Sequence, residues 1–221
     1  MPESRRVAGA YLGSQGAEYA AWQLQSGSPA LALTEARIYQ PYVDSTATLL
    51  DFGCGGGALL STLTCGRRLG VEPLEESRTA AIERGLEVVP SLDSVPDACV
   101  DVVISHHALE HCTQPFTELC HVWRVLKPGG KLVLMVPIED WRVQRHARPD
   151  DRHHHLFAWT PLIMGNMLVE AGFVGVTSQV VSEAWHAKLA GLPTVIFKIS
   201  GRLIAMFLLR RQMIATATRP L

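Results

Sequence analysis

The stretch Leu49-Leu50-Asp51-Phe52-Gly53-Cys54-Gly55-Gly56-Gly57 decides the fold. Aliphatic residues run into one carboxylate and then into a glycine cluster, and ALLSTLT at 58–64 follows with a short helical pattern. A strand that turns through glycines into a helix points unpaired backbone N–H groups at a ligand, and glycine lets the backbone come close to it. Twenty-one residues after Asp51, Glu72 closes a second strand, RLGVE. A carboxylate at that point lies beside the first strand and accepts hydrogen bonds from vicinal ribose hydroxyls. Loop and acid together describe a nucleoside cradle, whereas the glycine loop alone also matches dinucleotide-binding oxidoreductases.

Outward from this centre, short aliphatic runs alternate with helical patterns, the order of elements of an α/β sheet. The expected strands are 47–53, 68–72, 86–90, VDVVIS at 100–105, KLVLMVPI at 131–138, FVGVTSQVV at 173–181 and QMIATATR at 212–219. Ser28 before Pro29 and Thr160 before Pro161 read as helix N-caps with proline in the first turn. Gly85 and Gly172 read as the stops of the helices preceding strands three and six. KPGG at 127–130 reads as the close of the helix at 115–126. The prediction is one α/β domain over 1–221, a three-layer, doubly wound, Rossmann-like sheet of seven strands with its ligand at the carboxyl ends.

Composition narrows the partners. The chain has 221 residues and a net charge of −1, so no bulk positive field argues for nucleic acid or an anionic membrane. Five cysteines with no C-x-x-C pair argue against a disulfide framework and a cysteine zinc site, and suggest a reducing, cytoplasmic setting. The apolar segment at 190–211 is broken by Lys198 and Arg202 and is not expected to span a membrane. Ile196, Ile199, Leu203, Met206 and Phe207 form one stripe of it, so an amphipathic helical insertion is expected over 182–210. Such a helix packs on the core, covers a pocket, forms a homodimer contact or rests on a membrane surface.

LLDFGCGGG, GVEP at 70–73, VDVVISHHALEH at 100–111, ELCHVWRVLKPGGKLVLMVP at 118–137, HHHLFAWTPLIMGNMLVEAGF at 153–173 and MIATATRPL at 213–221 occur in that order. In these blocks the chain resembles the class I S-adenosylmethionine (SAM) dependent methyltransferases, in particular the group typified by ubiquinone and menaquinone methyltransferases. The resemblance covers about 45–181 and the tail, and leaves 1–44 as a variable N-terminal helical lid and 182–210 as a variable insertion. It implies a mostly parallel sheet whose last strand is antiparallel, with SAM as cofactor and S-adenosylhomocysteine as product. It implies that Asp51 orders the loop and holds the methionine amino group, with Gly53, Cys54, Gly55 and Gly57 at the methionine end. Glu72 would take the ribose diol, Pro73 and Leu74 the adenine face, Leu92 or Asp93 the adenine amino group, and His106 would face the sulfonium.

The remaining candidates concern the acceptor. His106 and His107 stand where substrate meets cofactor and are the candidate general bases for a hydroxyl acceptor. His107 and His111 have the i, i+4 spacing of a metal-binding pair, but the sequence offers no third ligand, so no metal is expected and His111 reads as a capping or packing residue. Arg142, Arg145 and Arg148 recur in the charged loop after strand five and suggest an anionic acceptor, with His154 and His155 at the mouth of the site. Tyr19 and Trp22 on an N-terminal helix either close over the cofactor or pack on the sheet. Ser105-His106-His107 replaces the Asn/Asp-Pro-Pro-aromatic tetrad of amino-methylating enzymes. DNA adenine and glutamine side chains are therefore not expected as acceptors. The HHHLFAWT block at 153–160 resembles methyltransferases of surface-polysaccharide or small-metabolite tailoring, and this resemblance implies O-methylation of a sugar or other small hydroxyl metabolite. The alternatives are C-methylation of a quinone or lipid, a non-catalytic SAM-fold partner subunit and, more distantly, an NAD(P)-dependent oxidoreductase.

Overall fold

The computed structural model describes residues 7–11, 13–26, 28–139, 146–148, 151–181, 196, 199, 200, 203 and 211–221. β1 (Thr48–Phe52) buries Leu49 and Leu50 completely, one in each of the two core clusters, as a parallel strand covered by helices on both faces must. The other strands are β2 (Arg67–Val71), β3 (Glu87–Val89), β4 (Val100–His106), β5 (Leu126–Ile138), β6 (Val174–Val181) and β7 (Arg211–Thr218). They form one sheet in the order β3-β2-β1-β4-β5-β7-β6. All neighbours run parallel except β7, which is antiparallel to both β5 and β6.

The helices are α1 (Gly13–Ser26), α2 (Pro29–Tyr39), α3 (Ala58–Thr62), α4 (Glu75–Glu83), α5 (Pro115–Val125) and α6 (Pro161–Glu170). Leu119, Val122, Met164 and Leu168 from α5 and α6 cover one face together with Trp159. Tyr39, Leu59, Leu60 and Ala81 from α2, α3 and α4 cover the other. The expected caps are in place: Ser28 Oγ accepts from Leu31 N at 3.1 Å and Thr160 Oγ1 from Ile163 N at 3.2 Å.

One boundary differs from expectation. KPGG belongs to β5, because Leu126 already pairs with Val100 before the register slips to Val102 with Lys131. The irregularity absorbs the extra residues, with Gly129 at φ 77° supplying the turn that a side chain would resist. In the 182–210 segment Ile196, Ile199, Ser200 and Leu203 are helical, and the three apolar residues are about half exposed. Lys198, Arg202, Met206 and Phe207 lie outside the described residues. No helix among the described residues is long and apolar enough to cross a membrane.

Candidate active site

The strand order reverses between β1 and β4: from β1 the chain steps outward to β2 and β3, then returns to β4 on the other side. That crevice at the carboxyl ends is where an open α/β sheet binds its ligand. Asp51 stands one residue before the end of β1 there, in register with Ile104, and His106 ends β4. The glycine loop is fixed from β2: the N–H groups of Gly53 and Cys54 both donate to the Val71 carbonyl, at 2.9 and 3.1 Å. Gly53 has φ 80°, and a Cβ on it would stand 2.3 Å from Ala108 Cβ, so this position demands glycine on two counts.

Glu72 rather than Asp51 orders the loop. Its carboxylate accepts from Gly55 N at 2.8 Å and from Leu74 N at 2.9 Å, tying the loop to the residues after β2. Burial pushes its carboxyl up to about 7 against the pull of those two N–H groups. Asp51 is buried, and its Oδ1 has no hydrogen-bond partner among the described residues although the side chain borders a cavity. Burial first, then the neighbouring Glu35 and Glu72, raise its carboxyl to about 8. An unpaired buried carboxylate facing a cavity is matched by a cation, and the amino group of a bound amino acid is one.

Two adjoining cavities open from the loop. The larger, of about 1110 Å³, is bordered by Asp51, Gly53, Cys54, Gly55, His106 and His107, with His154 and His155 on its far side. The smaller, of about 90 Å³, lies between Glu72, Pro73, Leu74 and Leu92 and also touches Gly53 and His107. Two expected residues border neither: Gly57 caps α3, and Asp93 turns to His121 at 3.6 Å, leaving Leu92 and the buried Glu118 of α5 at the small cavity. Arg142 and Arg145 lie outside the described residues, whereas Arg148 borders the larger cavity.

The N-terminal helix reaches the site. Gly16 lets α1 settle on the core, since a Cβ there would stand 2.5 Å from the Tyr11 carbonyl oxygen and 2.9 Å from Leu74. Gln23 and Leu24 then lie over the glycine loop, and Tyr19 and Trp22 border the larger cavity. Tyr11 stacks edge-on with Tyr19 at 4.6 Å, and Trp22 meets the His153 ring at 5.6 Å.

Imidazoles and carboxylates line the floor in pairs. The single proton of Tyr39 OH goes to the Ser105 carbonyl at 3.0 Å, so the hydroxyl accepts from His106 Nδ1, also at 3.0 Å. His106 Nε2 then faces Glu35 Oε1 at 3.4 Å, and burial raises that carboxyl to about 7 against the opposing pull of His107. Glu35 borders the larger cavity but was not foreseen; an acid four residues before Tyr39, in a helix rich in alanine and leucine, is the only signal it left. His107 sits at φ 54° and reaches the buried Glu110 at 3.2 Å.

His107 and His111 do not share a helix face, because only Leu109–His111 is helical and the turn is 3-10. His111 is therefore not a simple cap: it borders the cavity and its Nδ1 is 2.8 Å from Tyr11 OH. Burial, with His155, His107 and His153 nearby, pushes its imidazole down to about 4 despite Glu110. Burial also pushes the His155 imidazole down, but its 2.5 Å hydrogen bond to Glu139 and the nearby Glu110 more than offset this, and its pKa ends above the ordinary value.

Residues 50–134 match the methyltransferase domain family. The ubiquinone biosynthesis O-methyltransferase of Nitrosococcus oceani is 36% identical over 96 residues, which are 38% of this chain and 41% of that protein. The Klebsiella pneumoniae protein of the same name is 32% identical over 96 residues, 38% of this chain and 40% of its own length. The matched region thus spans about two fifths of these curated relatives. Among solved structures, a SAM-dependent methyltransferase from Archaeoglobus fulgidus superposes with a TM-score of 0.65 at 21% identity, covering 90% of this chain and 99% of that one. A chain from the complex of the Haloferax volcanii Trm112 methyltransferase activator gives 0.65 at 20% identity, with 93% and 96% covered. Taken with the strand order and the glycine loop, these matches identify residues 50–134 as a methyltransferase domain within a class I SAM-dependent methyltransferase fold.

Proposed function

We propose that the chain transfers the methyl group of SAM to a hydroxyl of a small, polar acceptor, a sugar or another hydroxylated metabolite. The observation that carries the reading is the unpaired buried carboxylate of Asp51 at the junction between the glycine loop and a cavity of about 1110 Å³ lined by histidines. The cofactor supplies an electron-poor methyl carbon and leaves as a neutral thioether. The residues present fit it. Asp51 meets the amino group, and the Glu72 carboxylate retains lone pairs for ribose hydroxyls beyond the two N–H groups it already accepts. Leu74, Leu92 and Val71 give the small cavity an apolar lining suited to a purine.

The chain's own part in the reaction is alignment and proton removal. Holding the acceptor oxygen in line is worth about 7–11 kcal/mol in well-oriented cases. Of the two candidate bases, His106 has Nδ1 committed to Tyr39, so its Nε2, shared with Glu35, is the nitrogen that takes a hydroxyl proton. His107 serves as a positioning residue through Glu110. His154, His155 and Arg148 border the acceptor end, and an acceptor carrying a carboxylate or phosphate suits Arg148.

A second reading is favoured by the relatives: two O-methyltransferases of ubiquinone biosynthesis point to a phenolic or quinone-derived ring, methylated on oxygen or, as an alternative, on carbon. A protein partner comparable to the Trm112 activator of the Haloferax volcanii complex belongs to the same set of proposals. The test is mass spectrometry of products after incubation with SAM and matched panels of glycosides, catechols and amines. Hydroxyl methylation with equimolar S-adenosylhomocysteine is expected; methylation of the amine panel alone overturns the hydroxyl assignment.

A further inference from the structure

The geometry points to a divalent-cation site, of the Zn²⁺ class, built by Glu110, His111 and His155 beside the larger cavity. The three side chains come from two separate stretches of chain, and their candidate ligand atoms lie within 4.8 Å of one another. The HHHLF segment is brought there by the backbone: Leu156 N donates to the Glu110 carbonyl at 2.9 Å, pinning 153–156 against the 3-10 turn that carries Glu110 and His111. In a tetrahedral shell with bonds of about 2.1 Å, ligand atoms stand about 3.4 Å apart, so side-chain rotation of about an ångström completes the shell.

Hydrogen bonds outside the cluster have already chosen the tautomers. Tyr11 OH donates its proton to the His153 carbonyl, so toward His111 Nδ1 it is an acceptor, and that nitrogen carries hydrogen. His155 Nδ1 likewise donates to Glu139 Oε1. In its neutral form each imidazole then carries its lone pair on Nε2, oriented by a hydroxyl in one case and a carboxylate in the other, which is how a metal-ligating histidine is held, and binding a cation displaces any proton on His155. Glu110 is fully buried; its Oε1 accepts from His107, and its Oε2 has no hydrogen-bond partner among the described residues. A buried carboxylate with one unpartnered oxygen, clustered with two imidazoles, is a favourable seat for a cation.

Two nitrogens and one oxygen match Zn²⁺ with three protein ligands and one position free, whereas Mg²⁺ and Ca²⁺ require shells of oxygen. His111 and His155 border the larger cavity, so the free position faces the acceptor. There the cation would hold an acceptor oxygen and lower the pKa of its hydroxyl; this role rests on the methyl-transfer reading, while the site itself does not.

The test is titration of the tag-free full chain, freed of metal by a chelator, with ZnCl₂ against a chromophoric competitor. One Zn²⁺ per chain is expected. His155→Ala and Glu110→Gln should each weaken it by about 100-fold or more, and Glu139→Gln, which touches no metal, by about 10- to 100-fold. Thermal stabilisation by S-adenosylhomocysteine, retained in all three variants, shows that they fold. Absence of stoichiometric binding, equal binding by wild type and His155→Ala, or an unchanged Glu139→Gln overturns the site. Zn²⁺ binding as expected without any response to S-adenosylhomocysteine leaves the cation site standing and removes the methyl-transfer reading.

Discussion

Replacing Asp51 by Asn should move stability and cofactor binding in opposite directions. The folded chain holds the Asp51 carboxyl at about 8 against an ordinary 3.8. A folded-state pKa above the unfolded one means that the unfolded chain releases a proton the folded chain retains. Stability therefore falls as pH rises from about 4 to about 8 and levels beyond. At about pH 7 the difference spans about three units, and at about 1.4 kcal/mol per unit Asp51 destabilises the ligand-free protein by about 4 kcal/mol. Asn removes this and leaves instead a buried amide short of partners, which costs about 2 kcal/mol. The variant should gain about 2 kcal/mol net, or about 4–8 °C in Tm for a chain of this length. The ammonium group of S-adenosylhomocysteine then has no counter-charge, at a cost of about 3 kcal/mol, or a loss of about 100-fold in affinity. Differential scanning fluorimetry with and without S-adenosylhomocysteine, from about pH 5 to about pH 9, reads both effects. A variant less stable than wild type at about pH 8, or one that keeps the full ligand shift, would falsify the assignment of Asp51.

Gly53→Ala combines a left-handed backbone with a Cβ 2.3 Å from Ala108, so it should lose about 3 kcal/mol and about 6–12 °C in Tm by calorimetry; a change below about 2 °C contradicts the packing of the loop. Glu35→Gln should flatten the fall in stability between about pH 4.5 and about pH 7, because its carboxyl is raised from 4.5 to about 7 by burial; a slope equal to wild type in pH-resolved urea denaturation rules this out. Arg219 lies over Trp123 at 4.0 Å and donates to the carbonyls of Trp123, Arg124 and Leu126. Arg219→Ala should cost about 2–3 kcal/mol, and Arg219→Lys should recover less than half, since an ammonium lacks the planar fork; equal stability of Lys and Arg refutes the role of the fork.

The strands and helix caps were legible because their signals are local. Ser28-Pro29 and Thr160-Pro161 state a helix start within a few residues, and VDVVIS states a strand buried on both faces. KPGG misled because glycine and proline mark helix stops and strand irregularities alike, and only the pairing of Val100 with Leu126 separates the two. That Glu72, and not Asp51, ties down the glycine loop was hidden for a different reason. Which carboxylate meets the Gly55 N–H depends on the distance between two strand ends, a quantity that no local pattern encodes.

By itself the sequence determined the order of strands and helices, the glycine loop, and the two carboxylates beside that loop. Each of these lies within one strand–turn–helix unit, where spacing along the chain is spacing in space. Tertiary structure alone decided the surroundings of the larger cavity: Glu35 against His106 from α2, Tyr11 against His111 from the N-terminal segment, and His155 beside Glu110 from the stretch after β5. Those partners are 45 to 100 residues apart, or meet only because the backbone of Leu156 is tied to Glu110. Closing such long loops is favourable only once the whole sheet has formed, so the chemistry they assemble is a property of the fold.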